Sequence, residues 1–218
     1  MRQISIKGSG ESFAVGKIVC LGRNYLDHIR ELNNQVPERA VIFCKPASSI
    51  VGAGEPIQLP AYSNDCQHEL ELAVLIGKTG KNIPQQHALT HVAGYAVALD
   101  LTLRDLQSEL KNAGLPWEIA NGFDTSCPLS DFTAAAEVGD PNNLRLSLTV
   151  NGQLRQEATT AQMMRSVEAI IAEISSYFTL ESGDIILTGT PAGVDRLQSG
   201  DLLYGEIERV GSLRMMVV

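Results

Sequence analysis

The sequence predicts a strand-rich α+β fold with a single domain over residues 1–218. Short apolar runs recur along the chain, and only two segments have long stretches with apolar residues at helical spacing. Because few crossover helices separate the runs, a mixed β fold is favoured over a doubly wound parallel sheet. A hydrophobic content of 44% over 218 residues is enough for one substantial core.

The predicted strands are apolar runs bounded by turn residues. The hairpin signal is clearest at LRLSLTV, where Asn151-Gly152 suits a type I′ turn before QLRQE. The predicted strands are residues 17–22, 40–45, 70–77, 93–100, 144–152, 184–189, 202–208 and 212–218.

Two helices and one shorter helical segment are predicted. Residues 101–113 form the first, with Thr102 as N-cap, Asp105 three residues later and Gly114 at the end. Residues 166–178 form the second, and residues 84–91 a short one. His87 and His91 are four residues apart, but no ligand-type residue near them supports a zinc site, so a surface helix is favoured.

Charge and composition narrow the classes of function. The net charge is −8, and no basic run could follow a phosphate backbone, which disfavours nucleic acid. The N-terminus lacks the apolar core of a signal peptide, and no run is long enough for a membrane span, so a cytoplasmic protein is expected. The cysteines lack paired metal-site spacing and are interpreted as buried, reduced thiols: Cys20, Cys44, Cys66 and Cys127.

Three carboxylates stand at the ends of two predicted buried strands. Glu69 and Glu71, in HELELAVLIG, project from one face because strand residues two apart point the same way. Asp100 ends the next apolar run. The alternatives are a solvated strand face for the glutamates and a helix N-cap for the aspartate. Together, the three oxygen ligands favour Mg²⁺, Mn²⁺ or Ca²⁺ in an open site.

Further candidate residues follow other strands. In GRNYLDHIRE, His28 and Glu31 lie on one face of a short helix, either as a water-activating pair or as a weak surface ion pair. Lys45, in FCKP, marks either an exit to solvent or an anion contact. The Gly-rich turn LTGTPAGV, with Thr188 and Thr190, could present N–H groups and hydroxyls to an anionic ligand.

Taken in order, these motifs resemble the fumarylacetoacetate hydrolase family, in its short acylpyruvate hydrolase and oxaloacetate decarboxylase-like branch. The resemblance covers about residues 17–217 and rests on GRNYLDHIRE, FCKP, HELELAVLIG, GYAVALDLTLRDLQ, GLPWEIANGFDTSCPLS, VNGQLRQ and GDIILTGTPAGV. It implies the mixed β-roll of the family's C-terminal domain, a short N-terminal segment over 1–16, a lid around 24–36, and a homodimer.

The resemblance also implies roles for individual residues. Glu69, Glu71 and Asp100 would hold Mg²⁺ or Mn²⁺, and His28 with Glu31 would be the catalytic pair on the lid. The implied substrate-facing residues are Arg23, Tyr25, Lys45, Gln107, Asn121 and Thr190. Many relatives carry a Lys where this chain has Asn121, and loss of a cation beside a developing oxyanion costs about 10²–10³ in rate.

The activity implied first is metal-dependent hydrolysis of a C–C bond in acylpyruvate-type 2,4-diketo acids, which releases pyruvate and a carboxylic acid. The alternatives are oxaloacetate decarboxylation and oxaloacetate keto–enol tautomerisation, because all three reactions pass through the same kind of enolate. A catalytically weakened binder of 2-oxo acids is a third possibility, supported only by Asn121.

Overall fold

The computed structural model describes residues 2–218, with elements numbered in chain order. The strands are β1 (Gln3–Ser5), β2 (Ser12–Ala14), β3 (Ile18–Gly22), β4 (Val41–Lys45), β5 (Ile50–Gly52), β6 (Cys66–Gln67), β7 (Leu70–Ile76), β8 (Val92–Leu99), β9 (Thr102–Leu103), β10 (Cys127–Leu129), β11 (Thr133–Ala134), β12 (Arg145–Val150), β13 (Gln153–Thr159), β14 (Ile185–Leu187), β15 (Leu202–Ile207) and β16 (Gly211–Met216). The α-helices are α1 (Leu26–Glu31), α2 (Arg104–Ala113), α3 (Glu118–Asn121), α4 (Ala135–Val138) and α5 (Val167–Tyr177). Short 3₁₀ helices cover Ala47–Ser49, Gln85–His91 and Thr160–Gln162.

A mixed sheet of eight strands forms the frame of the molecule. Its order is β4-β3-β14-β7-β8-β10-β5, and β11 also pairs with β8. The β3–β14 and β5–β10 pairs are parallel, whereas the other pairs in this sheet are antiparallel. The prediction of a strand-rich α+β fold built on a mixed sheet is confirmed.

The central strands of this sheet are buried on both faces. Every residue of β7 is buried, which explains why its sequence is continuously apolar instead of alternating. Leu72 and Val74 pack into the larger core, whereas Ala73 and Leu75 face a second cluster on the opposite side. The sheet therefore sits between two apolar layers, and polar groups at its strand ends are held rigidly.

A second, antiparallel sheet has the order β13-β12-β15-β16. The predicted hairpin joins β12 to β13, and its turn residues Asn151 and Gly152 have φ values of 53° and 75°. Both values lie in the left-handed region that a type I′ turn requires, so the hairpin prediction is confirmed.

The helix predictions are confirmed in part. Helix α5 begins after Ser166, whose hydroxyl accepts a hydrogen bond from the Ala169 N–H. Helix α2 ends at Gly114 as predicted, but it begins at Arg104, so Thr102 as its N-cap was wrong. Thr102 instead pairs in β9 with β6, because a β-branched residue fits an extended segment well. The segment 84–91 is a 3₁₀ helix rather than an α-helix.

The N-terminal segment forms the β1–β2 hairpin, which packs Ile4, Ile6 and Phe13 against the second core cluster. The four cysteines are free: three are buried, and Cys44 is half-buried. Burial raises the pKa of Cys66 and Cys127 to about 12, as expected of inert thiols. Among residues 2–218, no helix has both the length and the apolar character needed to cross a membrane.

Candidate active site

The pairing of β7 with β8 brings the three predicted carboxylates together. Leu70 lies opposite Leu99, so Glu69 and Asp100 meet at the end of the ladder, where the Asp100 N–H donates to the Glu69 carbonyl at 2.8 Å. Glu71 projects from the same face as Glu69. One oxygen from each carboxylate lies within 4.8 Å of the others, and all three side chains are buried. The solvated-face alternative for the two glutamates is therefore wrong.

Crowding of negative charge perturbs this cluster. Burial, together with Asp100 and Glu69, raises the pKa of Glu71 well above its ordinary value. Burial raises the pKa of Asp100 to about 6, and Glu69 adds to the effect although Lys45 opposes it. Three carboxylates this close are stable in the charged form only with more positive charge than the protein supplies.

Lys45 supplies part of that positive charge. Its Nζ lies 2.8 Å from Asp100 Oδ1, and its side chain is fully buried, so an exit to solvent was wrong. Burial opposes the ammonium charge, but Asp100 outweighs it, so the pKa of Lys45 is raised. The ammonium group donates to the carbonyls of Leu101, Asn121 and Ser126. The same ammonium group therefore pairs with Asp100 and bonds three backbone carbonyls.

The chemistry of the donor set tests whether the cluster suits a metal. Among residues 2–218, the three buried carboxylates face two paired cations, Lys45 and Arg104, so the ionised cluster keeps one negative charge without a counter-ion. Three buried, all-oxygen donors are the set that hard divalent cations prefer. The cluster of Glu69, Glu71 and Asp100 therefore fits a divalent metal ion, with positions left for water and substrate.

The Gly-rich turn after β14 binds the protein's own carboxylates. The Gly189 N–H donates to Glu71 Oε2 at 2.6 Å, and the Gly193 N–H donates to Glu31 Oε1 at 2.9 Å. Thr188 and Thr190 donate their hydroxyls to carbonyls of β7. The N–H groups of this turn thus hold carboxylates of the protein itself, and its binding of an external anionic ligand stays a prediction.

The His28–Glu31 pair forms on α1 as predicted. His28 Nδ1 lies 3.2 Å from Glu31 Oε2, and the imidazole is only 5% exposed, which excludes a surface ion pair. Since a carboxylate only accepts, Nδ1 carries the proton and Nε2 carries the lone pair. Asn24 anchors the start of the helix through hydrogen bonds to Arg165 and to the Thr188 carbonyl.

One cavity contains both the carboxylate cluster and His28. Of the predicted substrate-facing residues, four line it: Arg23, Gln107, Asn121 and Thr190. Tyr25 and Lys45 are not among its lining residues. Tyr25 instead precedes α1 and is buried, which raises the pKa of its phenol. Lys45 does not line the cavity, but its ammonium group pairs with Asp100, which does.

Asn121 is held in a network of polar side chains. Its Nδ2 donates to Thr102 Oγ1 at 2.9 Å, and its Oδ1 accepts from Gln107 Nε2 at 3.3 Å. Gln107 Oε1 in turn accepts from Arg104 at 2.8 Å. The network fixes the amides of Asn121 and Gln107 beside the cavity without placing a cation at position 121.

Two further site residues escaped the sequence analysis. Arg104 lines the cavity and donates to Glu69, although its position in the first turn of α2 gave no sign of this pairing. Gln156 is fully buried; its Oε1 accepts from the Leu70 N–H, and its Nε2 donates to Thr190 Oγ1. Gln156 is the one buried residue of β13, and nothing in the sequence marks it, because burial of that amide depends on the fold.

Several known proteins are similar to this chain over most of its length. The oxaloacetate tautomerase YcgM of Escherichia coli is 50% identical over 198 residues, which cover 90% of each chain. The mitochondrial oxaloacetate tautomerase FAHD1 of Mus musculus is 47% identical over 200 residues, covering 92% of this chain and 90% of its own. A crystal structure of fumarylpyruvate hydrolase from Pseudomonas aeruginosa with Mn²⁺ and pyruvate has a TM-score of 0.95 and 39% identity, over 100% of this chain and 95% of its own.

The family match is consistent with the similarity to these relatives. Residues 17–218 match the family described as fumarylacetoacetate (FAA) hydrolase C-terminal, and the curled mixed sheet is the fold expected for it. The resemblance inferred from GRNYLDHIRE through GDIILTGTPAGV is thus confirmed. This chain belongs to the fumarylacetoacetate hydrolase C-terminal domain family.

Proposed function

We propose that the protein is a divalent-metal-dependent enzyme that interconverts the keto and enol forms of oxaloacetate. The observation that carries this proposal is one cavity holding both a buried three-carboxylate cluster and the His28 imidazole. Relatives at 50% and 47% identity are oxaloacetate tautomerases, which supports the choice of substrate.

Glu69, Glu71 and Asp100 would hold the metal ion, either Mg²⁺ or Mn²⁺. When bound, such an ion polarises a substrate oxo group as a Lewis acid. Arg104 stays beside Glu69 and orients that carboxylate, while Lys45 neutralises Asp100 from behind. The protein thus keeps one face of the cluster open toward the cavity.

His28 would move the proton. Its Nε2 takes a proton from C3 of oxaloacetate, the C–H electrons form the C2–C3 double bond, and the 2-oxo oxygen gains the negative charge. The imidazolium of His28 then returns this proton to the 2-oxo oxygen, which gives the enol and restores the neutral imidazole, and the reverse sequence restores the ketone. Glu31 stabilises the imidazolium that forms during transfer, because it accepts the Nδ1 hydrogen throughout.

Hydrolysis of acylpyruvates is the second candidate, favoured by the fumarylpyruvate hydrolase structure at 39% identity. His28 would instead deprotonate a water molecule, whose hydroxide attacks C4; the C3–C4 bond then breaks to give pyruvate enolate and a carboxylic acid. This route develops an oxyanion at C4, and Asn121 offers no positive charge there. Tautomerisation needs no such oxyanion, so we place it first. Oxaloacetate decarboxylation, which replaces water attack by loss of CO₂, ranks below both.

The test follows enol loss from oxaloacetate by ultraviolet absorbance with Mg²⁺, with Mn²⁺ and with EDTA. Pyruvate release from acetylpyruvate and from oxaloacetate is measured in parallel. We expect metal-dependent, chelator-sensitive tautomerisation that falls about 10²-fold or more in His28→Ala. His87→Ala is the matched control, because that residue is exposed on a 3₁₀ helix and does not line the cavity.

Other results of these assays would indicate a different activity. Rapid pyruvate release from acetylpyruvate with slow tautomerisation would make the protein a hydrolase. Release from oxaloacetate alone would indicate a decarboxylase. Turnover of none of these substrates by protein that binds Mg²⁺ would overturn the enzymatic proposal and leave a 2-oxo acid binder.

A further inference from the structure

Two of the three cations that line the cavity have no acidic partner. Arg23, Arg104 and Lys111 all line it, as does the three-carboxylate cluster. Arg104 is paired with Glu69, but within residues 2–218 no carboxylate lies within 4.0 Å of the Arg23 or Lys111 charged groups. These two cations therefore lack a direct counter-ion, although the cavity as a whole holds as many carboxylates as cations.

Both unpaired cations converge on one neutral oxygen. Arg23 donates to Asn34 Oδ1 at 3.0 Å, and the Lys111 ammonium group lies 3.4 Å from the same oxygen. Burial together with Arg23 and Arg104 lowers the pKa of Lys111, as expected where like charges crowd without a counter-ion. An amide oxygen can accept these hydrogen bonds, but it cannot balance two positive charges.

The backbone presents these side chains to the cavity from two elements, β3 and α2. Arg23 leaves β3 with a φ of 59°, a left-handed value rare for a residue with a side chain. Arg104, Gln107 and Lys111 are spaced three and four residues apart, so they share one face of α2. Lys111 stands about 10 Å further along the helix axis than Arg104, away from the carboxylate cluster.

We propose that Arg23, Lys111 and Asn34 form a subsite for a second carboxylate at the far end of the substrate. The inference rests on the proposed function, because the 2-oxo acid end of the same molecule would occupy the metal cluster. The preferred substrates would then be 2-oxo dicarboxylates, and neutral acyl chains would bind less well. A guanidinium with a neighbouring ammonium is a strong carboxylate receptor, since charge-assisted hydrogen bonds are the strong ones.

Binding at the subsite would also involve the segment that follows α1. Asn34 lies three residues after the end of that helix, and its backbone N–H donates to the Ile29 carbonyl at 2.9 Å. A carboxylate that binds Arg23 and Lys111 would therefore contact the segment that continues from the helix carrying His28. Trp117 supports the other side, with its ring centroid 6.0 Å from Lys111 Nζ and Phe43 packed against it.

The test compares two ligands that differ only in the distal carboxylate. Calorimetry of the Mg²⁺-loaded protein measures binding of 2-oxoadipate and of 2-oxohexanoate, which have the same chain length. We expect 2-oxoadipate to bind about 10-fold to 100-fold more tightly. Lys111→Met and Asn34→Asp should each remove about 10-fold or more of that preference and leave 2-oxohexanoate binding unchanged. Lys78→Met, at an exposed lysine outside the cavity, is the control.

The two proposals fail in different ways. Equal binding of both ligands, or a preference unchanged in both variants, would overturn the subsite while the metal-dependent function stands. Absence of binding for both ligands, with metal-dependent oxaloacetate turnover intact, would overturn the subsite alone, whereas absence of both binding and turnover would overturn the proposed function as well. Asn34→Asp is the most direct variant, because it places a carboxylate of the protein where the ligand's carboxylate would bind.

Discussion

Glu31 accepts a hydrogen bond from the Gly193 N–H at 2.9 Å while its other carboxylate oxygen holds His28. Helix α1, which carries His28, is thus hydrogen-bonded to the turn after β14. The Gly189 N–H of the same turn donates to Glu71. Gly193 has a φ of 101°, and a Cβ there would lie 2.0 Å from the Arg155 carbonyl oxygen, so only glycine fits. One turn therefore sets the relative positions of the base and of a metal ligand.

Glu31→Gln should reverse the hydrogen bond to His28 but keep the hydrogen bond that attaches α1 to Gly193. The glutamine oxygen still accepts from Gly193, but its amide would donate to Nδ1, so the imidazole lone pair moves from Nε2 to Nδ1. We expect the rate to fall about 10²-fold or more. The melting temperature should change little. Tautomerase assays with thermal denaturation test this, and an unchanged rate would remove Glu31 from the mechanism.

Glu71→Gln and Asp100→Asn should stabilise the metal-free protein to different extents. Glu71→Gln relieves repulsion in the cluster and keeps an acceptor for Gly189, so the free energy of unfolding should rise on the order of 1 kcal/mol. Asp100→Asn also removes a charge that folding disfavours, but it leaves Lys45 buried without its counter-ion, so its gain should be smaller.

Urea denaturation in EDTA measures these changes, and Mg²⁺ titration should show that both variants lose metal binding. Mg²⁺ affinity unchanged from the wild type in either variant would contradict the assigned ligands. Gln153→Ala, at an exposed position on β13, is a control for the denaturation measurements.

Metal-dependent stabilisation should depend on pH. Asp100 has a pKa of about 6 in the folded metal-free protein, above its ordinary value of 3.8, so folding favours the protonated form. The stability that Asp100 contributes to the metal-free protein is therefore lost as pH rises from about 4 to about 6. Protons compete with metal over the same range. The gain in melting temperature on adding Mg²⁺ should grow between pH 5 and pH 7, and a constant gain would contradict this account.

Asn121→Lys should change the balance between reactions. A lysine there would place positive charge near the C4 oxygen that develops during hydrolysis. We expect pyruvate release from acetylpyruvate to rise about 10-fold or more, with less change in tautomerisation. The parallel assays proposed above measure both. An unchanged hydrolysis rate would show that the missing cation at position 121 does not limit this reaction.

Most elements of this fold are predictable because patterns within a few residues determine them. The continuous apolar run of β7, the Asn151-Gly152 turn and the Ser166 cap were all visible within a few residues. Thr102 was predicted to be an N-cap because a Thr with an acidic residue three positions later is typical of a helix N-terminus. Its position in β9 instead depends on pairing with Cys66–Gln67, a segment distant in the sequence.

Contacts between distant segments account for what the sequence analysis missed. Arg104 meets Glu69 across 35 positions, and Lys111 meets Asn34 across 77. Gln156 reaches Leu70 across 86 positions and joins one sheet to the other. No spacing rule along the chain encodes such pairs, because packing of the elements decides which side chains meet. The three carboxylates were recognisable because the motifs around them marked the ends of adjacent strands.

The register of β7 against β8 makes metal affinity a reporter of correct folding. A slip of one residue would turn Glu71 to the opposite face of the sheet and move Glu69 away from Asp100. Such a misfolded chain could retain much of its secondary structure yet lack the ion site. Metal titration of refolded or engineered protein would therefore count the correctly paired molecules in a sample, including in variants that have no catalytic activity.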